Sequence, residues 1–270
     1  MTDLTTSSTN KVYIANNDSA LIAGVTKAVC VLTPGSLAIA GFNSKNELIV
    51  IDQYDNDSGK WNNDFLENKF QNKSLENLLR SCTATFITND KSLVVPKALY
   101  NESEAVKWMN QFDLITKDEV IYTHPLKDKA YYLFTIPADV RELLIKYLPK
   151  AKVLPLAAYQ FHKQAKADAF VACCIAKELA YFTVYKNNNL QLHKIFSYQN
   201  AEDIAYAISL ACKEAGFDAN SATLEFAITD KDLQNVVVQL TQYFPDLYWG
   251  LDNADWTSNI YLMQLLNTCA

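Results

Sequence analysis

Hydrophobic positions along this chain fall into runs of strand length, then into helical stripes, and the order then starts again. The first run covers 27–33, and the Pro34-Gly35 pair after it predicts a tight turn, since Pro fixes φ and Gly tolerates positive φ. Runs over 37–42 and 48–54 follow, parted by the turn residues Asn43-Ser44-Lys45-Asn46. Connections this short predict an antiparallel meander, because parallel neighbours need a long crossover. Leu48 and Val50 alternate with Ile49 and Ile51, so both faces are apolar and the sheet is expected to be covered on both sides.

Downstream, Phe65, Leu66, Phe70, Leu75, Leu78, Leu79 and Cys82 mark one face of a helix predicted over 64–82. A strand at 83–88, parallel to the first, and a short extended piece at 93–95 stopped by Pro96 come next. Asn101 with Glu104 predicts a capped helix whose buried stripe is Ala105, Val106, Met109 and Phe112. Strands at 119–123 and 130–136 lead to a helix with Pro137 in its first turn and Val140, Leu143, Leu144 and Tyr147 on its apolar side. An extended piece at 152–156 then runs into a helix at 157–167, with Lys163 and Lys166 near its end, which is expected to bridge two halves.

Sliding the chain by 142 positions brings Val29 onto Val171, Leu37 onto Leu179, Ala38 onto Ala180, Asn46 onto Asn188, Leu48 onto Leu190 and Val50 onto Leu192, without a gap. The second half accordingly predicts strands at 169–175, 179–185 and 190–196. A helix capped by Asn200 and Asp203 and ended by Gly216 follows, then a strand at 223–227 and a helix at 232–243. A last helix at 258–266 and the aromatics Trp249, Trp256 and Tyr261 complete the tail. The expected organisation is a disordered lead-in over 1–10, a first lobe at 11–155, a bridge at 156–167 and a second lobe at 168–270.

Each half reads strand, strand, strand, helix, strand, helix, which resembles the ribonuclease H-like order with a right-handed crossover to a parallel fourth strand. Two such units in tandem resemble the actin-like ATPase fold, an α/β class shared with sugar kinases and the Hsp70 ATPase domain. Finer features narrow this. Val95-Pro96-Lys97-Ala98-Leu99-Tyr100 precedes an acidic capped helix, and the 190–196 strand is followed by Tyr198, Glu202, Asp203 and Tyr206. Together these resemble the bacterial domain of unknown function 3822 family over nearly the whole chain, through turn and core residues rather than catalytic ones. That resemblance implies an actin-like fold related to pilus-assembly ATPase-like proteins, with no established activity.

In the actin-like fold the nucleotide lies between the halves, and the first turn of each half cradles phosphate with backbone N–H groups, helped by glycines and a nearby carboxylate. The corresponding turns here are Thr33-Pro34-Gly35-Ser36 and Cys174-Ile175-Ala176-Lys177-Glu178. The first has one Gly, no acid, and a Pro that removes a donor; the second has no Gly. The chain has 6 glycines, none adjacent, so the Gly-Gly stretch expected beside an adenosine is missing as well. Thr33, Gly35, Ser36, Lys177 and Glu178 are therefore read as degenerate phosphate-turn positions of a protein without hydrolytic activity. The alternative is an ATP-binding or ATP-hydrolysing protein in which Lys177 serves a phosphate and Glu178 a Mg²⁺ ion.

Composition removes other classes. The net charge is -6 without a basic block, which argues against nucleic acid. No apolar run reaches the length of a membrane span, and the polar start does not read as a secretory signal, so the cytoplasm is the expected compartment. The 6 cysteines form no C-x-x-C pair and read as small apolar residues; His124, His162 and His193 lie far apart, so no metal is expected. Asp52, Asp55, Asp57 and Asp64 read as a solvated acidic loop rather than a two-metal nuclease site. The 15 tyrosines, 13 phenylalanines and 4 tryptophans exceed what two small cores need and point to a protein partner, with self-association as a further expectation.

Overall fold

The β-branched and small residues of Lys27–Thr33 form β1, the centre of the first unit, and nearly every residue of it and of β2 (Ser36–Phe42) is buried. In the computed structural model the described residues are 23–56, 59–112, 115–127, 129–162, 167–244 and 260–270. The predicted lead-in, Asp57, Lys163, Lys166, Trp249 and Trp256 lie outside them. The chain divides into two compact units: one comprises the described part of Met1–Leu156 together with Leu266–Ala270, the other that of Ala157–Leu265.

In the first unit, β1, β2 and β3 (Leu48–Asp55) form the antiparallel meander, and β4 (Cys82–Ile87) and β8 (Lys152–Pro155) add in parallel, giving the order β3-β2-β1-β4-β8. The predicted single helix over 64–82 is broken. Helix α1 (Asn63–Phe70) is capped by Asn62, whose Oδ1 accepts from Phe65 N–H at 3.0 Å, and it ends at Gln71. Asn72 then takes the Ser74 N–H into its own side chain at 3.0 Å, which starts a new turn before α2 (Glu76–Arg80). An Asn that satisfies the backbone locally competes with helix continuation, and the apolar spacing does not register it.

A second sheet in this unit has the order β5-β7-β6, from β5 (Ser92–Pro96), β6 (Glu119–Leu126) and β7 (Ala130–Pro137). Helix α3 (Ala105–Asn110) packs Ala105 and Met109 onto it with Val95 and Leu133. Val106 and Phe112, predicted in the buried stripe, are instead 57% and 66% exposed. The helix runs only to Asn110, too short to carry Phe112 round to the sheet, and Val106 follows Ala105 directly, about 100° round the helix. Helix α4 (Ala138–Tyr147) buries Val140 and Leu144.

The second unit is a four-stranded sheet, β11-β10-β9-β12, made of β9 (Ala169–Ile175), β10 (Leu179–Lys186), β11 (Asn189–Ser197) and β12 (Thr223–Ile228). β12 is parallel to β9 and the rest of the sheet is antiparallel. The predicted bridge is resolved as one turn, α5 (Ala158–Phe161), among its described residues. Helix α6 (Ala201–Glu214) has a full capping box of Asn200 and Asp203, and Gly216 at φ +79° ends it with the Phe217 N–H on the Cys212 carbonyl at 3.1 Å. Helices α7 (Gln234–Leu240) and α8 (Ile260–Asn267) follow.

The 142-residue offset extends to the irregular features of the two meanders. It carries β1 onto β9 end to end. Asn46 and Asn188 both sit in the left-handed region, at φ 61° and 60°. The ladder of β2 with β3 skips Ile49, that of β10 with β11 skips Gln191, and these two bulge residues stand at the same offset.

Candidate functional site

The two first hairpin turns are built differently. In the first unit Thr33 pairs with Ser36, leaving Pro34-Gly35 as the loop. Gly35 stays out of the left-handed region, contrary to the expectation that it supplies positive φ. The turn is closed instead by side chains: Gly35 N–H donates to Thr33 Oγ1 at 3.1 Å, and Thr33 Oγ1 lies 3.0 Å from Ser36 Oγ. Both hydroxyl residues are buried. Asn56 locks the other side, its N–H on the Gly35 carbonyl at 2.7 Å and its Nδ2 on the Pro34 carbonyl at 3.1 Å. Pro34 has no N–H and that of Gly35 is taken, so neither loop residue has a free donor to turn toward an anion.

In the second unit the loop slides by one residue. Ala176 N–H donates to the Leu179 carbonyl at 2.8 Å, and Lys177-Glu178 forms the tip. Tyr198 braces this turn with its hydroxyl on the Ala176 carbonyl at 2.8 Å and its N–H on the Glu178 carbonyl at 3.4 Å. The Lys177 and Glu178 side chains are exposed, with no ion pair to either among the described residues. Thus Thr33, Gly35 and Ser36 meet in one turn, Lys177 and Glu178 in another, and the two turns belong to different units.

Two features near these turns escape a reading of spacing. Just past the fourth strand of each unit a Thr N–H bonds the last part of the first strand, Thr88 to Leu32 and Thr229 to Ile175, each at 3.0 Å. Acids follow just beyond, Asp90 and Asp230, outside the strands where the nuclease pattern wants them; Asp230 already caps the Asp232 N–H at 3.0 Å. The second feature is Asp52. It sits on β3 opposite Ile39, only 2% exposed, and no described residue hydrogen-bonds its Oδ2. Burial pushes its carboxyl up to about 6. Asp55 and Asp64 are solvated as expected, whereas Asp52 is not, because strand alternation turns it onto the face that carries Val50.

His193 is tied into a structural network. Its Nδ1 lies 2.9 Å from Thr183 Oγ1, which donates to the buried Gln160 Oε1 at 2.8 Å. The Phe161 ring, 4.9 Å away centroid to centroid, helps close off the imidazole, and desolvation lowers its pKa to about 3. The hydrogen-bonded ring ties β11 to β10 through Thr183, and among the described residues no three His, Cys, Asp or Glu side chains converge.

The meander with its parallel fourth strand, present in both units, is the arrangement of the actin-like ATPase fold. A Bacteroides thetaiotaomicron protein with that fold and unknown function is similar over 95% of this chain and 100% of its own, with a TM-score of 0.75 at 15% identity. The cytoplasmic domain of EpsL, an inner membrane component of the type II secretion system of Vibrio cholerae, is similar over 89% of this chain and 92% of its own, with a TM-score of 0.51 at 9% identity. The PilM-PilN type IV pilus biogenesis complex contains a chain similar over 83% of this one and 88% of its own, with a TM-score of 0.52 at 10% identity. No curated protein matches by sequence. The family model described as protein of unknown function (DUF3822) matches residues 26–247, and the chain belongs to that family. No helix among the described residues is long and apolar enough to cross a membrane.

Proposed function

We propose that this protein is a non-catalytic member of the actin-like fold that acts by binding another protein. The observation that carries this reading is the first phosphate turn: Pro34 has no N–H, the Gly35 N–H is taken by Thr33 Oγ1, and Asn56 holds both loop carbonyls, while in the second turn Tyr198 holds the Ala176 and Glu178 carbonyls. A first turn with no loop donor to offer cannot stabilise the charge of a transferring phosphoryl group, which is most of what such catalysis requires. Two proteins of similar fold, as named, belong to assemblies, one to a secretion system and one to a complex with PilN, which supports a protein partner.

One observation favours a second reading. Lys177 and Glu178 stand exposed together at a turn tip, a cation and an anion such as a Mg-nucleotide would use. Titration calorimetry with Mg-ATP separates the two. The proposed function expects no saturable heat up to millimolar nucleotide. A micromolar affinity that disappears in Lys177→Ala makes the ATP-binding reading correct. Light scattering against concentration tests self-association in the same samples.

A further inference from the structure

Among the described residues, the small sheet of the first unit ends in an open strand. β6 pairs with β7 on one side, and no described strand pairs with it on the other. Ala138 N–H donates to the Asp118 carbonyl at 2.8 Å, and the register continues from there, so residues 120, 122, 124 and 126 exchange bonds with β7 while 119, 121, 123 and 125 turn theirs outward. Pro125, which has no N–H, falls on the outward set, as an edge strand requires. The Glu119 N–H is taken by the Thr116 carbonyl at 3.3 Å. Ile121 and Thr123 are left, each with an N–H and a C=O that no described residue uses.

Beside this edge lies a groove of about 530 Å³, walled by Ala105 and Val106 of α3, by Ile115 and by Val120 and Ile121 of β6. Val106 is the 57% exposed residue whose burial the helical spacing predicts, so the groove accounts for an apolar side chain left in water. Its charges are set out along the strand. Lys117 lines it beside the Glu119 end; Glu102 follows Tyr100, whose hydroxyl lies 3.1 Å from Thr123 Oγ1 at the other end. Both are exposed, and neither is ion-paired among the described residues.

We infer that β6 takes up an extended segment of a partner protein as an added antiparallel strand, with a basic residue at the segment's N-terminal end over Glu102, apolar residues at alternate positions in the groove, and an acidic residue at Lys117. Antiparallel addition puts the incoming N-terminus at the Thr123 end, which fixes the order of the two charges. A second copy of this chain fits less well. Glu119 and Pro125 confine the full template to two residues, too short a ladder to join two folded sheets, whereas one peptide adds side-chain burial in the groove to those bonds. This assignment rests on the reading of the protein as a partner-binding module and names the surface and the chemistry of the partner.

The test pans a phage-displayed library of random heptapeptides against the full chain. Enriched clones are expected to alternate apolar and polar residues, with Lys or Arg first and Asp or Glu last. Thr123→Pro removes one outward donor and leaves the β7 ladder intact, and is expected to weaken the selected peptides about tenfold. Glu102→Lys weakens them too, and a peptide with its first residue changed to Glu regains binding to that variant. Amide exchange at Ile121 and Thr123 slows on peptide addition, a readout that stands if Thr123→Pro fails to fold. The assignment is overturned by an absence of enrichment, by helical-period clones, by equal binding to folded Thr123→Pro, or by a dimer of the chain alone that protects the same two amides. Native-partner capture that survives Thr123→Pro removes the β6 assignment and leaves the partner-binding reading intact. Nucleotide binding by the wild type removes that reading without altering the peptide result.

Discussion

Cys30, Cys82, Cys173, Cys174 and Cys212 are buried, and Cys269 alone is half-exposed. Desolvation raises the five buried thiols, with Cys82, Cys174 and Cys212 pushed up to about 12, so the reactive thiolate is scarce at neutral pH. A thiol reagent should therefore label Cys269 alone in the native protein and all 6 cysteines after denaturation; fast native labelling of Cys173 or Cys30 would contradict this. Asp52 gives a second prediction. Its carboxyl is raised to about 6 in the fold, against an unfolded value of about 3.9. Between those values the native state holds more protons, so whatever stability the protonated acid contributes is lost as pH rises through 6. Asp52→Asn does not titrate, so it should stabilise by on the order of 1–3 kcal/mol at pH 8 and by little near pH 4. His193 titrates with the opposite sign: its folded pKa is lowered to about 3, so acid below about 6.5 costs stability. It does so equally in both proteins and cancels from the difference. Urea melts at the two pH values decide the matter, and an equal gain at both refutes the Asp52 account.

At the scale of elements, what could be read from sequence was what alternation and capping encode. β1 and β9 keep the expected bounds, and the Asn200–Asp203 capping box and the Gly216 stop are local signals that packing has no reason to override. Spacing failed where a polar side chain satisfies the backbone, as Asn72 does between α1 and α2. It also failed where a helix is too short to bring its stripe round, as with Phe112. Of the candidate site, the poverty of glycine and acid in the turns could be read directly. The Asn56 clamp could not, because it acts across more than twenty residues. Gly41 shows a different hidden constraint. A Cβ there would lie 2.7 Å from side-chain atoms of Val25 and Val50 and 2.9 Å from one of Leu78. Gly41→Ala should cost about 1–3 kcal/mol by forcing those side chains apart. Replacing Val50 by Ala in the same chain should recover part of that loss, and chemical denaturation of the single and double variants measures it.

At the scale of the molecule, the repeat is visible in sequence because the two meanders share a left-handed Asn and a bulge at one offset, but the path of the chain is not. The first unit is discontinuous: the chain leaves it after Leu156 and returns at Leu266. Lys27, at the start of β1, donates from Nζ to the carbonyl oxygens of Asn267 at 3.0 Å and Ala270 at 3.2 Å. Burial and the neighbouring Lys152 lower its pKa, so the returning segment shares in holding a partly desolvated cation at the head of the central strand. Lys27→Met removes both bonds and leaves two carbonyls to water or to nothing. The cost should be on the order of 1–3 kcal/mol and should fall on one unit only. Hydrogen exchange resolves this: amides of β1, β4 and β8 should exchange faster in the variant, while those of β9, β10 and β12 keep their rates. Uniform acceleration in both units would mean that the chain opens as a single cooperative body, and the discontinuous unit would then have no separate stability to lose.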